Sequence, residues 1–167
     1  MTAPSRERTQ AVDAKGNPLT PPPIDGNHSK VIRSQGGFAW EGVALEDYKA
    51  TGEGYREITR RELVGKRGES PQFHLRYFEI GPGGYSTLEK HEHEHCVYVV
   101  RGQGEAQMGC YIHKVGVGDV VYVSPSDTHQ FSCPENAGEV FGFLCIVNAV
   151  RDRPVAADGL GACFICE

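Results

Sequence analysis

An all-β fold, closed into a barrel or sandwich, is predicted by three features of this sequence. It has short runs rich in β-branched and aromatic residues, glycine-rich breaks between them, and no helical periodicity long enough to serve as a crossover between parallel strands.

The runs follow in order. FHLRYFEI at 73–80 ends at Gly81-Pro82-Gly83-Gly84, and CVYVV at 96–100 ends at Gly102. DVVYV at 119–123 ends at Ser124-Pro125-Ser126-Asp127, and a fourth run spans 140–147. Helical spacing is confined to a short stretch at 45–50. About ten strands are expected, and closing them into a barrel removes exposed edges.

The organisation is uneven. Residues 1–34 are rich in Pro, Thr, Asn and charge, include Pro21-Pro22-Pro23, and lack apolar periodicity, so they are expected to form a flexible arm. Residues 35–150 form the barrel and 151–167 a tail. At 167 residues the chain is long enough for one core and short for two. The net charge of -5, with scattered Lys and Arg, argues against a nucleic-acid partner. No apolar run approaches the ~20 residues that span a bilayer, and no secretory signal pattern opens the chain, which predicts a cytoplasmic protein without a membrane partner. The six cysteines are accordingly expected to be reduced thiols.

The chemistry concentrates at 83–102, GGYSTLEKHEHEHCVYVVRG, where histidines recur at alternate positions beside a strand run. Alternation aims side chains at one face, and a barrel interior lined with imidazoles and a carboxylate is costly unless those groups pair or bind a metal. This stretch resembles the first motif of the cupin superfamily: Gly, five residues, His-x-His, three or four residues, Glu, six residues, Gly. Counting back from Gly102 aligns His95, His91, Glu89 and Gly83 with it. The second cupin motif is similar to 118–133. Gly118 and His129 match, whereas Ser124 stands for its proline, Ser126 for its glycine and Cys133 for its asparagine.

The resemblance implies a double-stranded β-helix, the jelly-roll-like cupin barrel. It also implies one divalent transition metal per chain, Mn, Fe, Ni or Cu with Zn as a further option, held by Glu89, His91, His95 and His129. Glutamate takes the first ligand position and histidine the third, the reverse of the common order. A competing register uses His91 and His93 as the pair but spoils the spacing to Gly102. In the favoured register His93 falls in a turn, as a surface histidine or one supporting the ligands. Without a thiolate ligand, a closed structural zinc site is disfavoured.

Tyr85, Phe131 and Phe143 are candidate pocket residues by alternation, as are Thr87 and Tyr122. Arg60 and Arg76 could pair with an anionic substrate, although solvated or salt-bridged surface arginine is the commoner outcome, and they are not taken as site residues. His95-Cys96 is similar to a stretch of the cysteine dioxygenases, although Phe141 and Phe143 replace the tyrosine linked to that cysteine. Cys163 and Cys166 form a lone CxxC spacing.

The resemblance implies a metal-dependent enzyme acting on a small organic molecule, with an oxygenase or dioxygenase expected first. The alternatives are a metal-assisted isomerase, lyase or decarboxylase with Glu89 as catalytic base, and a small-molecule-binding cupin without turnover. A homodimer is the expected assembly.

Overall fold

The period-two patterning is realised throughout the computed structural model, which describes residues 11–21, 23–151 and 155–157. Among them the backbone forms strands and no helix: β1 (Ser34–Gly36), β2 (Ala39–Trp40), β3 (Glu46–Asp47), β4 (Arg56–Val64), β5 (Phe73–Tyr85), β6 (Glu89–Lys90), β7 (His95–Arg101), β8 (Gln103–Met108), β9 (Tyr111–Gly116), β10 (Val120–Val123), β11 (His129–Ser132), β12 (Phe141–Asn148) and β13 (Val155–Ala156). The helical spacing at 45–50 yields β3 instead. Its Glu46 and Asp47 pair with Arg60 and Thr59 of β4, so tertiary pairing overrides a weak local pattern.

Antiparallel pairing builds two layers that share β5. Its first part pairs with β4 and β12, and β12 passes the sheet on to β7 and β10. Its last residue, Tyr85, pairs with Ser132 of β11, which also pairs with β8 and β6. The bend between the layers falls at the glycine-rich stretch. Gly83 has φ +73°, a region costly for residues with a Cβ. Gly102, at the tight turn after β7, has φ +62°, and a Cβ there would meet the carbonyl oxygen of Val140 at 2.2 Å. These are the two glycines that set the motif register. The architecture is the expected all-β double-stranded β-helix.

Between the layers the alternation is strict. His95, Val97 and Val99 of β7 point inward while Cys96 and Tyr98 face out, and Phe141, Phe143, Cys145 and Val147 of β12 complete the same wall. Val97 and Val99 are completely buried, each contributing about 2 kcal/mol. Cys96 is exposed, so it has no access to the interior.

The stretch assigned to a flexible arm is fastened over its last residues. Gly26 donates to the carbonyl of Arg67 at 2.7 Å, and Lys30 pairs with Glu69 at 3.1 Å. Ile32, Phe38 and Trp40 pack on Val43, Leu63 and Tyr77, forming a second core on the outside of β4 and β5. Two aromatic contacts, Phe38 on Tyr77 and Trp40 on Tyr77, supply what the polar composition of the arm lacks. The expectation of six reduced thiols is corrected at Cys110, which is disulfide-bonded, whereas Cys96, Cys133 and Cys145 are free. Cys163 and Cys166 lie outside the described residues.

Candidate metal centre and pocket

The two motifs meet at one end of the barrel. His129 opens β11 opposite Glu89 of β6, and His95 opens β7 opposite Val123 and Val147. The bend at 91–94 joins β6 to β7 and carries His91 and His93. Its fixing contact is the Ser126 N–H, which donates to the His91 carbonyl at 2.7 Å and ties the two motif loops together. Ser126 stands where the cupin motif has glycine and keeps the left-handed backbone a glycine would supply, with φ 67°.

His91, His95 and His129 are each buried, and their ligand atoms all lie within 4.8 Å of one another. The ring of His91 uses Nδ1 toward the His93 carbonyl at 2.7 Å, and that of His129 uses Nδ1 toward the Asp127 carbonyl at 2.9 Å. A ring that donates from Nδ1 leaves Nε2 as an acceptor, and Nε2 of His91 is buried with no hydrogen-bond partner. All three rings are held below the ordinary histidine value, first by burial; for His91 and His95 the charge of His129 comes next. Neutral imidazoles whose ligand atoms gather at one point, one of them buried without a partner, fit a divalent metal ion.

Two expected site residues are placed differently. Glu89 is buried and lines the pocket beside His95 and His129, but it stands outside the three-imidazole group. Its Oε2 accepts from Lys49 Nζ at 2.5 Å, because a buried carboxylate takes the cation that reaches it. His93 is in the turn, as expected, but it is not at the surface. It is buried, stacks on His91 with centroids 3.6 Å apart, and brings Nε2 to 3.3 Å from Nε2 of His95. The burial alternation runs unbroken from Glu89 to Val99, so the bend never rotates the histidines out.

Of the pocket candidates, Phe131 and Phe143 line the cavity. Tyr85 does not: it packs under the Arg56 guanidinium at 5.7 Å, out of phase with Arg76, Phe78 and Ile80, whose inward side continues to Ser86. Tyr122 faces outward and donates to Glu94. Thr87 is buried and accepts from Lys49 at 3.0 Å. Tyr48 and Cys145, which the sequence reading missed, line the same cavity, as does Arg76, which it weighed as an anion partner but left at the surface. Cys145 Sγ lies 3.5 Å from Nδ1 of His95 and accepts from Arg76 Nη2 at 3.4 Å. Inward alternation along β5 and β12 nominates both, yet nothing in the sequence says that the two strands are neighbours.

Comparison with known proteins agrees with this geometry. Residues 76–147 match the cupin domain family model. Over 132 residues, 78% of this chain and 82% of the relative, the sequence is 42% identical to a 1-methylthio-D-xylulose 5-phosphate methylsulfurylase of Rhodospirillum rubrum. A crystal structure of a cupin-2 domain protein from Rhodospirillum rubrum superposes with TM-score 0.67 at 40% identity, covering 75% of this chain and 82% of the other. A cupin 2 conserved barrel protein from Rhodopseudomonas palustris gives TM-score 0.63 at 42% identity, covering 72% and 81%. With both motif glycines in left-handed turns and three motif histidines gathered at one point, this chain belongs to the cupin superfamily.

Proposed function

We propose that this chain is a metal-dependent cupin enzyme that works on the carbonyl of a small phosphorylated sugar carrying a methylthio group, and detaches that group to a low-molecular-weight thiol: the C–S bond breaks, the thiol sulfur takes the methylthio sulfur as a mixed disulfide, and the carbon left behind takes a proton. The observation that carries the reading is the 42% identity to the methylsulfurylase over 78% of this chain and 82% of that protein.

His91, His95 and His129 would hold the ion, which when bound would supply Lewis acidity toward a carbonyl oxygen. The chain's own groups do the rest. Glu89 faces the same cavity and is the base or acid that moves a proton at the carbon next to that carbonyl. Lys49 and Thr87 orient it, Nζ of Lys49 touching both. Phe131 and Phe143, 5.0 Å apart, give an apolar wall against which a methylthio group is at home.

An oxygenase is the second reading, favoured by the same three neutral imidazoles, which also suit a redox-active metal. One experiment separates them. Purified, metal-loaded protein is incubated with 1-methylthio-D-xylulose 5-phosphate and a low-molecular-weight thiol, with and without oxygen, while proton NMR follows the S-methyl signal. Loss of that signal from the sugar at equal rates in both conditions supports the proposal. Loss only with oxygen consumed supports the oxygenase, and an unchanged substrate under both conditions overturns the methylthio reading.

A further inference from the structure

Among the described residues, Arg76 is the only arginine or lysine lining the cavity that holds His95 and His129, and no described carboxylate forms an ion pair with it. Its Nη2 donates to a thiol, Cys145 Sγ, a weak acceptor, and its guanidinium lies over the Phe78 ring at 5.1 Å. Its Nε is buried without a hydrogen-bond partner. The acid opposite it in register, Glu62, gives Oε1 to Nδ1 of His74 at 2.8 Å. A half-buried guanidinium loses hydration that only an anion restores fully.

Further positive charge gathers at the same place. Arg60 stands opposite Phe78 on β4, and its Nε too is buried and unpartnered, although Nη2 reaches Glu46 at 3.4 Å. Arg151 donates to the carbonyls of Asn148 and Ala149 at the end of β12. Its pKa is lowered, by desolvation first and then by the charge of Arg76; the carboxylate of Glu62 opposes the shift and Arg60 adds to it. Glu46 is shared between Lys66 and Arg60, and Glu62 holds His74, so among the described residues the three guanidinium groups meet only acids that are already engaged. Such a surplus of positive charge suits an anion, and the flat guanidinium fork matches phosphate oxygens in pairs. A single sulfur atom, that of Cys145, separates Arg76 from the ring of His95.

We propose that Arg76 and Arg151, with Arg60 behind them, form an anion subsite that takes the phosphate of the substrate while the carbonyl end reaches the imidazoles. This rests on reading the substrate as a phosphorylated sugar, and it assigns to these arginines the discrimination between the sugar phosphate and its unphosphorylated form.

The test titrates metal-loaded protein with inorganic phosphate, read by phosphorus NMR and calorimetry, for wild type, Arg76→Gln and Arg151→Gln. Metal content and circular dichroism serve as checks on folding. Saturable binding that weakens at least about tenfold in each variant is expected. No saturable binding to wild type, or undiminished binding in both variants, as phosphate on the metal would give, overturns the subsite. Turnover of 1-methylthio-D-xylulose 5-phosphate separates this from the reaction. A raised KM with little change in kcat, partly restored in Arg76→Lys, is the expected pattern; an unchanged KM in both glutamine variants overturns the subsite and leaves the reaction standing. Phosphate bound at the arginines without any turnover leaves the subsite standing and removes the methylthio reading.

Discussion

Lys49 Nζ donates to Oε2 of Glu89 at 2.5 Å and to Oγ1 of Thr87 at 3.0 Å, so one ammonium fixes the carboxylate that shares a cavity with His95 and His129. A carboxylate held this way can serve the reaction without being needed to hold the ion. Glu89→Gln keeps the shape and removes the proton-transfer group. It is expected to retain metal near one ion per chain at saturation while kcat falls about 10²–10⁴-fold. Metal analysis beside turnover decides this, since equal losses of metal and activity would make Glu89 a ligand.

The imidazoles should separate into two groups on substitution. His91→Ala, His95→Ala and His129→Ala each remove one of the three atoms that converge within 4.8 Å, and are expected to lose bound metal after dialysis. His93 stacks on His91 and touches His95, supporting rather than converging. His93→Ala is therefore expected to bind metal about 10–100-fold more weakly yet still fill at high metal concentration. A competition titration with a chromogenic chelator measures both outcomes. An empty site in His93→Ala at saturating metal would restore the competing register.

Much of this centre is legible in the sequence because motif spacing and strand alternation are local. Gly83, Gly102 and Gly118 mark turns by position, and His91, His95 and His129 fall on inward positions counted from them. What spacing does not carry is contact between distant segments. The partnership of Lys49 with Glu89 joins residues 40 apart, and that of Arg76 with Cys145 joins residues 69 apart. The burial of His93 follows the alternation, which runs unbroken from Glu89 to Val99, whereas the expected turn would interrupt it. Tyr85 fails as a pocket residue because the inward phase of β5, set by Arg76, Phe78 and Ile80, runs on to Ser86, and the phase of Thr87 and Glu89 begins only after it.

Ser126 keeps φ at 67° in a turn where a residue with a Cβ is strained, and its N–H holds the His91 carbonyl. Glycine relieves that strain but frees the unfolded chain and gives up the hydroxyl contact to Glu92 at 3.2 Å. Ser126→Gly is expected to be neutral to about 1 kcal/mol more stable, with metal affinity unchanged. Ser126→Val, which adds a β-branch in the same region, is expected to lower both stability and metal affinity by loosening the loop that positions His91. Urea unfolding and the chelator titration test the pair.

Glu69 couples the N-terminal segment to the barrel, and its charge sets the pH at which that coupling fails. Burial alone would raise its carboxyl, but the Arg67 and Gly65 N–H groups and the Lys30 ammonium outweigh it, leaving the group at about 2 against an ordinary 4.5. A depressed carboxyl stabilises fully above its unfolded value, and that contribution is lost as pH falls from about 4.5 toward about 2. The sole tryptophan, Trp40, packs on Tyr77 in the outer core that this segment covers, and so reports its release. Its fluorescence is expected to change across that window. In Glu69→Gln the change should already be present at neutral pH and lose its acid dependence. An identical acid profile in both proteins would mean that some other carboxylate anchors the segment.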